Sequence, residues 1–584
     1  MVQMIQGRVV PVLLAAVIAG WFAVTAATQT RSDRPSANVA GQKPPAPPTP
    51  TGRIGGRVLA ADNGRPVRRA RVFVSAPQLA EGRATLTDDS GGFELSELPA
   101  GRYTLTVSKT GFINLAYGQR RPLQPGTPIQ LAEGLQLTAI EFRLPRGGVI
   151  AGRVLDDSGD PAPGVSVRAM QYRYAQGNRQ LVPAGTAQTD DQGSYRIWGL
   201  NPGDYYVSAV ARNAGGGRGF GTDGQGRGGP PGRSQPTPDQ LGYAPTFYPG
   251  VPSVDEARAV RLGVSGESLD VSFPLMLVQT TRVAGRVTNP DGSPTTSGTV
   301  NLVPETEPTG RGAFGGALGA RIQWDGNFSI ANVPPGRYLL RARGDNTDVP
   351  QYAMQPLAVS GGDPTTLTIV LAPGGSISGT VTLQSTQSAQ VPDLTQLRIV
   401  APATDFQGVG QNPSGRVAGD GTFTIEGVSA GLHWIRTQNP QRGWTLKSVL
   451  LSSRDIIDTP VDIRSGQKLT NLTLVLTDRL TEVNGTLSDE RGNPITEYTV
   501  LAFPFDSSLW RPQARQIMTA RPDQNGKYQI RGLPPGDYYV AAIDPAEPGE
   551  WFEPAFLDQQ RASAARLTLG DGDVKSQDFR LTLR

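Results

Sequence analysis

Cysteine is absent from this chain of 584 residues, and histidine occurs once, at His433. Those two counts exclude thiol nucleophiles, disulfides, Cys/His zinc sites, haem-attachment motifs and multi-histidine metal centres. Lysine is scarce too. There are six lysines against 49 arginines, and none between Lys109 and Lys447. Neither sign of charge dominates: 55 basic against 51 acidic residues leave a net charge of +4. So small an excess is not a nucleic-acid signature, which needs a clustered basic face, and no nucleic-acid partner is expected. No cofactor is expected from this residue set either.

Glycine and proline are plentiful instead, 72 and 50, which suits many short strands and turns better than long helices. One long apolar run occurs, from Val9 to Val24. Arg8 precedes it and Thr25-Ala26-Ala27 offers small residues for cleavage, so residues 1–27 read as a secretory signal peptide. Extended to Ala27 the run has 19 residues, close to a bilayer span, which leaves an uncleaved anchor open. Membrane contact would then be confined to residues 9–27. Residues 28–51 form a proline-rich linker. The remainder is expected outside the cytoplasm, whether secreted, periplasmic or at the cell surface.

Self-comparison reveals one phrase five times. It begins at Phe93, Tyr195, Phe328, Phe423 and Tyr528. In each copy an aliphatic residue follows at +5, a glycine at +8, and a tyrosine or His433 at +10. An Asp/Gly turn precedes every first aromatic, as in Asp89-Ser90-Gly91-Gly92 and Asp523-Gln524-Asn525-Gly526. Aspartate and glycine there predict the left-handed backbone of a tight hairpin. Alternation in Tyr103, Leu105 and Val107 predicts a half-buried strand after the second glycine. Each copy opens with a mid-strand glycine: Gly56, Gly152, Gly285, Gly379 and Gly485. A missing side chain at that point predicts a bulge or a close backbone approach. The opening glycines are 96, 133, 94 and 106 residues apart, so each copy is long enough for a domain.

On these residues the chain resembles the carboxypeptidase regulatory-like domain family, a transthyretin-like, Ig-like β-sandwich also grouped with Cna-B-type modules and the carbohydrate-binding-like fold. The pattern is nearly complete in copies one, two and five. Copy four departs from it, with Ser429-Ala430-Gly431-Leu432-His433 lacking both the proline and the tyrosine. The resemblance implies an all-β protein of five tandem antiparallel sandwiches at 52–146, 147–280, 281–373, 374–478 and 479–584. It also implies an accessory role rather than a catalytic one. The Lys–Asn cross-links of some Cna-B-like modules fail in copies two and three, which hold no lysine.

The candidate chemistry is sparse. His433 fills a packing-tyrosine slot and reads as structural. The pairs Asp88-Asp89 and Asp190-Asp191 point to opposite faces if they are in strands, and Asp325 and Asp420 stand alone, so no repeated dyad or calcium site is expected. Residues 211–240 read as a Gly/Arg-rich loop inserted in copy two. The best ligand-binding candidates are aromatic: Tyr243, Phe247 and Tyr248 in copy two, and Trp551, Phe552 and Phe556 in copy five. Tyr243-x-Pro245-x-Phe247 and Phe552-x-Pro554-x-Phe556 share one spacing. Exposed, these rings would suit a glycan or an envelope protein; the alternative is that they pack over the sandwich. The expectation is a non-enzymatic, exported, rod-like binding or scaffold protein. A purely mechanical stalk stays open, as does an accessory module of an extracytoplasmic hydrolase or transport complex.

Overall fold

The computed structural model describes residues 51–582 except 80, 120–123, 176, 212–239, 306–317, 346–348, 386–390, 405–411, 439–442 and 545. The signal segment, nearly all of the linker and nearly all of the loop 211–240 lie outside the described residues. Within them the fold is strand-dominated, with one short helix, Pro554–Gln560, and three 3-10 turns.

The repeated phrase becomes a repeated register. The opening strands Gly52–Ala60, Gly148–Leu155, Met276–Thr288, Gly375–Gln384 and Glu482–Asp489 each lie antiparallel to the strand carrying the first aromatic. The opening glycine faces that aromatic in all five: Gly56 with Phe93, Gly152 with Tyr195, Gly285 with Phe328, Gly379 with Phe423, Gly485 with Tyr528. All five rings are buried. Full burial of each contributes roughly 1.5–3 kcal/mol.

The glycines are needed for close approach. A Cβ at Gly56 would lie 1.8 Å from the Ile140 carbonyl oxygen, and at Gly152, Gly285, Gly379 and Gly485 about the same from Val271, Leu367, Leu472 and Gln577. Tyr195 and Tyr528 each donate their hydroxyl to that carbonyl, at 2.6 and 2.5 Å. In the preceding turns Gly91, Gly193, Gly326, Gly421 and Gly526 all have φ between 68° and 84°, as the Asp/Gly pattern predicts.

The sheets are mostly antiparallel but mixed. Every opening strand also pairs in parallel with the closing strand of its copy, for example Gly52–Ala60 with Gln136–Leu144. Strands of the facing sheet intervene in sequence, so the chain crosses over and returns in the same direction rather than by a hairpin. In copy one that facing sheet is Arg83–Leu86, Arg71–Ser75 and Gly101–Ser108. The buried apolar side chains gather into five large clusters, one per copy. Copy four is the irregular one. Its strand at His433 ends after three residues, and Arg436–Gln438 continues in a different sheet.

The fifth copy makes contacts with copies one, two and four. Gln524 makes a two-way contact with the Gln130 backbone, accepting from its N–H at 2.7 Å and donating to its carbonyl at 2.8 Å. Arg102 donates to the Arg521 carbonyl at 2.6 Å. Against copy two, Gly549 lies beside Tyr174, and Gly177 abuts Pro512 and Phe552 so closely that a Cβ there would sit about 3 Å from both. Against copy four, Arg515 and Gln516 converge on Asp458, and Arg436 and Arg511 both lie over the Trp434 ring.

Candidate functional site

The +10 position of each copy does the same mechanical work. Tyr103, Tyr205, Tyr338 and Tyr538 each donate to the carbonyl four residues upstream, Pro99, Asn201, Pro334 and Pro534, at 2.6–2.8 Å. Burial pushes the Tyr205 phenol up to about 12, and those of Tyr103 and Tyr538 also rise, so these rings stay protonated donors. In copy four His433 takes over, with Nε2 2.8 Å from the Ser429 carbonyl, again four residues upstream. Its Nδ1 lies 2.8 Å from the Ala401 carbonyl. The ring is 1% exposed and faces two backbone carbonyls, and the Ser429 hydroxyl lies 3.5 Å from Nε2. A solvent-excluded histidine so placed clamps backbone.

The turn aspartates are equally occupied. Asp88 accepts from the Ser90 N–H and hydroxyl and the Gly92 N–H at 2.7–2.8 Å. Those bonds, led by the Ser90 hydroxyl, hold its carboxyl below the usual range. Asp190 and Asp523 accept from the same two backbone positions of their turns. No group of three or more acidic or histidine side chains suited to a metal ion occurs among the described residues.

The six aromatic candidates do not converge on one surface. Phe247 is buried with Met170 and Leu181 in a small cluster on the outer face of the copy-two sheet. Tyr248 is half-buried, edge-on to Phe273 at 6.0 Å, and packs against the main core. Tyr243 is half-buried and donates to Asp157 at 2.7 Å. In copy five, Trp551, Phe552 and Phe556 pack against a second cluster built on Leu501, Phe503, Trp510 and Tyr539. Phe247, on the strand Thr246–Phe247, and the copy-five segment with the helix Pro554–Gln560 thus each cover an outer sheet face, whereas Tyr243 and Tyr248 pack against the main core of copy two. The signal was legible: Tyr538 to Ile543 and Val500 to Phe503 are apolar without alternation, as strands buried on both faces must be. Thr499–Pro504 is buried at all six positions.

The carboxypeptidase regulatory-like domain model matches residues 53–144 and 149–219. The two matches are in tandem and fall within copies one and two of the repeat. No curated protein matches the sequence. Among solved structures, the full-length major pilin RrgB of Streptococcus pneumoniae is 8% identical, covering 91% of this chain and 99% of its own, with a TM-score of 0.15. The minor pilin GBS52 of Streptococcus agalactiae is 15% identical over 39% of this chain and 98% of its own, TM-score 0.23. The TIE protein of Bacillus anthracis is 10% identical over 74% and 73%, TM-score 0.15. Among the described residues no helix is long and apolar enough to cross a membrane.

Proposed function

We propose that this protein is a non-catalytic, exported scaffold of five β-sandwich domains, divided at 52–146, 147–280, 281–373, 374–478 and 479–584. One observation carries the reading. The turn aspartates Asp88, Asp190 and Asp523, the four +10 tyrosines and His433 are all engaged in hydrogen bonds to backbone. The N-terminal apolar run supports export to the periplasm, cell surface or medium. The contacts of copy five with copies one and two favour a preformed scaffold over an extensible stalk.

Within this reading the partner is a glycan or an envelope protein, engaged through the half-buried rings of Tyr243 and Tyr248 in copy two and of Trp551, Phe552 and Phe556 in copy five. Incubating the purified full chain with isolated cell envelopes and with a glycan array tests it. Capture without bond cleavage, weakened by Tyr243→Ala and Trp551→Ala, is expected. Hydrolytic turnover that persists through purification, or capture indifferent to both substitutions, contradicts it.

A further inference from the structure

Copies one and two share a backbone clamp and fill it differently. In copy one the buried Thr87 hydroxyl donates to the Val67 carbonyl at 2.6 Å and accepts from the Ala70 N–H at 2.8 Å. In copy two Thr189 does the same with Ala162 and Val165, at 2.6 and 2.9 Å. The residue held between them donates its own N–H to the threonine carbonyl, Arg69 to Thr87 and Gly164 to Thr189. Both are left-handed, with φ of 52° and 71°. Glycine adopts that conformation without strain and arginine does not. Copy one therefore keeps a strained cation where its neighbour shows that glycine fits.

Strain that a neighbouring copy avoids points to a use for the side chain. Arg69 lines a cavity of about 580 Å³ with Arg65, Arg68, Lys109 and Arg146, against the single carboxylate of Asp89. That local excess equals the +4 of the entire chain, so it is a concentration and not a sample of the composition. The matching positions in copy two for Arg65, Arg68, Arg69 and Lys109 are Asp160, Pro163, Gly164 and Ala211. The cations are only partly neutralised. Arg68 and Asp89 are 3.6 Å apart and both largely exposed, a weak pairing. Among the described residues the Arg65 and Arg69 guanidinium groups have no hydrogen-bond or ion-pair partner. Lys109 donates to the Arg69 carbonyl at 3.3 Å. Arg146 is held by Asp62 at 2.8 Å and lies over the Phe112 ring, giving the cavity a fixed wall.

We infer that this copy-one cavity binds a ligand bearing several oxyanions, phosphate esters or carboxylates, through the guanidinium groups of Arg65, Arg68 and Arg69. Planar guanidinium donors match both oxyanions in bidentate fashion, and a cluster of them in one cleft raises local anion concentration. The test is titration of the full chain at low salt with tripolyphosphate, with polygalacturonate and with neutral dextran. Saturable binding of one or both anionic probes, and not of dextran, is expected; which probe binds distinguishes the phosphate from the carboxylate source. Arg69→Gly should weaken binding about tenfold while raising the thermal midpoint by about 2 °C, because it removes both a contact and the strain. The pair Arg65→Ala and Arg68→Ala should flatten the salt dependence of binding by about two charges. Absence of saturable binding to either anion overturns the inference. So does unchanged affinity in Arg69→Gly, or a lowered midpoint in that variant.

Discussion

Copies one and two run through the same register, the same threonine clamp and the same tyrosine-to-carbonyl bond, yet differ in what they expose. Copy one turns arginines outward from the clamp and leaves its cavity open. Copy two places an aspartate, a proline and a glycine there, and covers the outer face of its sheet with Phe247. The frame is therefore indifferent to the surface it carries. Function has to be sought in residues that depart from the repeat, not in the repeat itself.

The comparison breaks most severely at the shared glycines. Gly56→Val or Gly152→Val drives a side chain into a carbonyl that a Cβ alone would approach within about 2 Å. Each should cost more than about 4 kcal/mol and unfold its copy, seen as lost amide-exchange protection confined to that copy. Next come the clamps. Thr87→Val and Thr189→Val leave one buried carbonyl and one N–H unpaired, and each should cost about 2–3 kcal/mol in chemical denaturation. A smaller effect separates the copies. Gly164→Ala in copy two should cost about 1 kcal/mol, whereas Arg69→Gly in copy one should gain about as much.

The least expected effect is a difference in pH response. In copy two burial raises the phenols of Tyr195 and Tyr205, the latter to about 12. A raised folded-state value means stability fully present below the ordinary phenol range near 10 and lost as pH rises through the folded value. Copy one has Phe93 in place of Tyr195 and should resist alkali better. In copy one the Arg146 guanidinium lowers Asp62, and the Ser90 hydroxyl lowers Asp88. A lowered folded-state value gives stability present above the ordinary carboxylate range near 4 and lost as pH falls through the folded value. Copy-resolved amide exchange at about pH 3 and pH 11 should show Asp62→Asn easing the acid loss in copy one and Tyr195→Phe easing the alkaline loss in copy two.

Much of the frame was legible because it is imposed locally. Asp/Gly turns, the opening glycines and the alternating strands each depend on a few neighbouring residues, and five occurrences separate pattern from chance. The parallel pairing of opening and closing strands depends on residues about eighty apart in copy one, and no local phrase encodes it. The same holds for the return of copy five, where Gln524 meets a backbone almost four hundred residues away. His433 was legible as structural from its slot, but its second carbonyl partner, Ala401, was not. The aromatic candidates share a spacing, whereas the outer-face cover supplied by Phe247, Trp551, Phe552 and Phe556 is signalled by the apolar runs of the strands beneath them. The basic cavity escaped composition because the 51 acidic residues of the chain nearly balance its 55 basic ones.

The scaffold reading depends most on the docking of copy five against copy one. Because the chain has no cysteine, Gln130→Cys with Gln524→Cys introduces a unique thiol pair, and a short bismaleimide reports whether the two are adjacent in the native full chain. The account predicts rapid intramolecular cross-linking that is abolished by denaturant and absent when either cysteine is paired instead with Glu305→Cys in copy three. Two native thiols that both label singly with maleimide but never cross-link would contradict it.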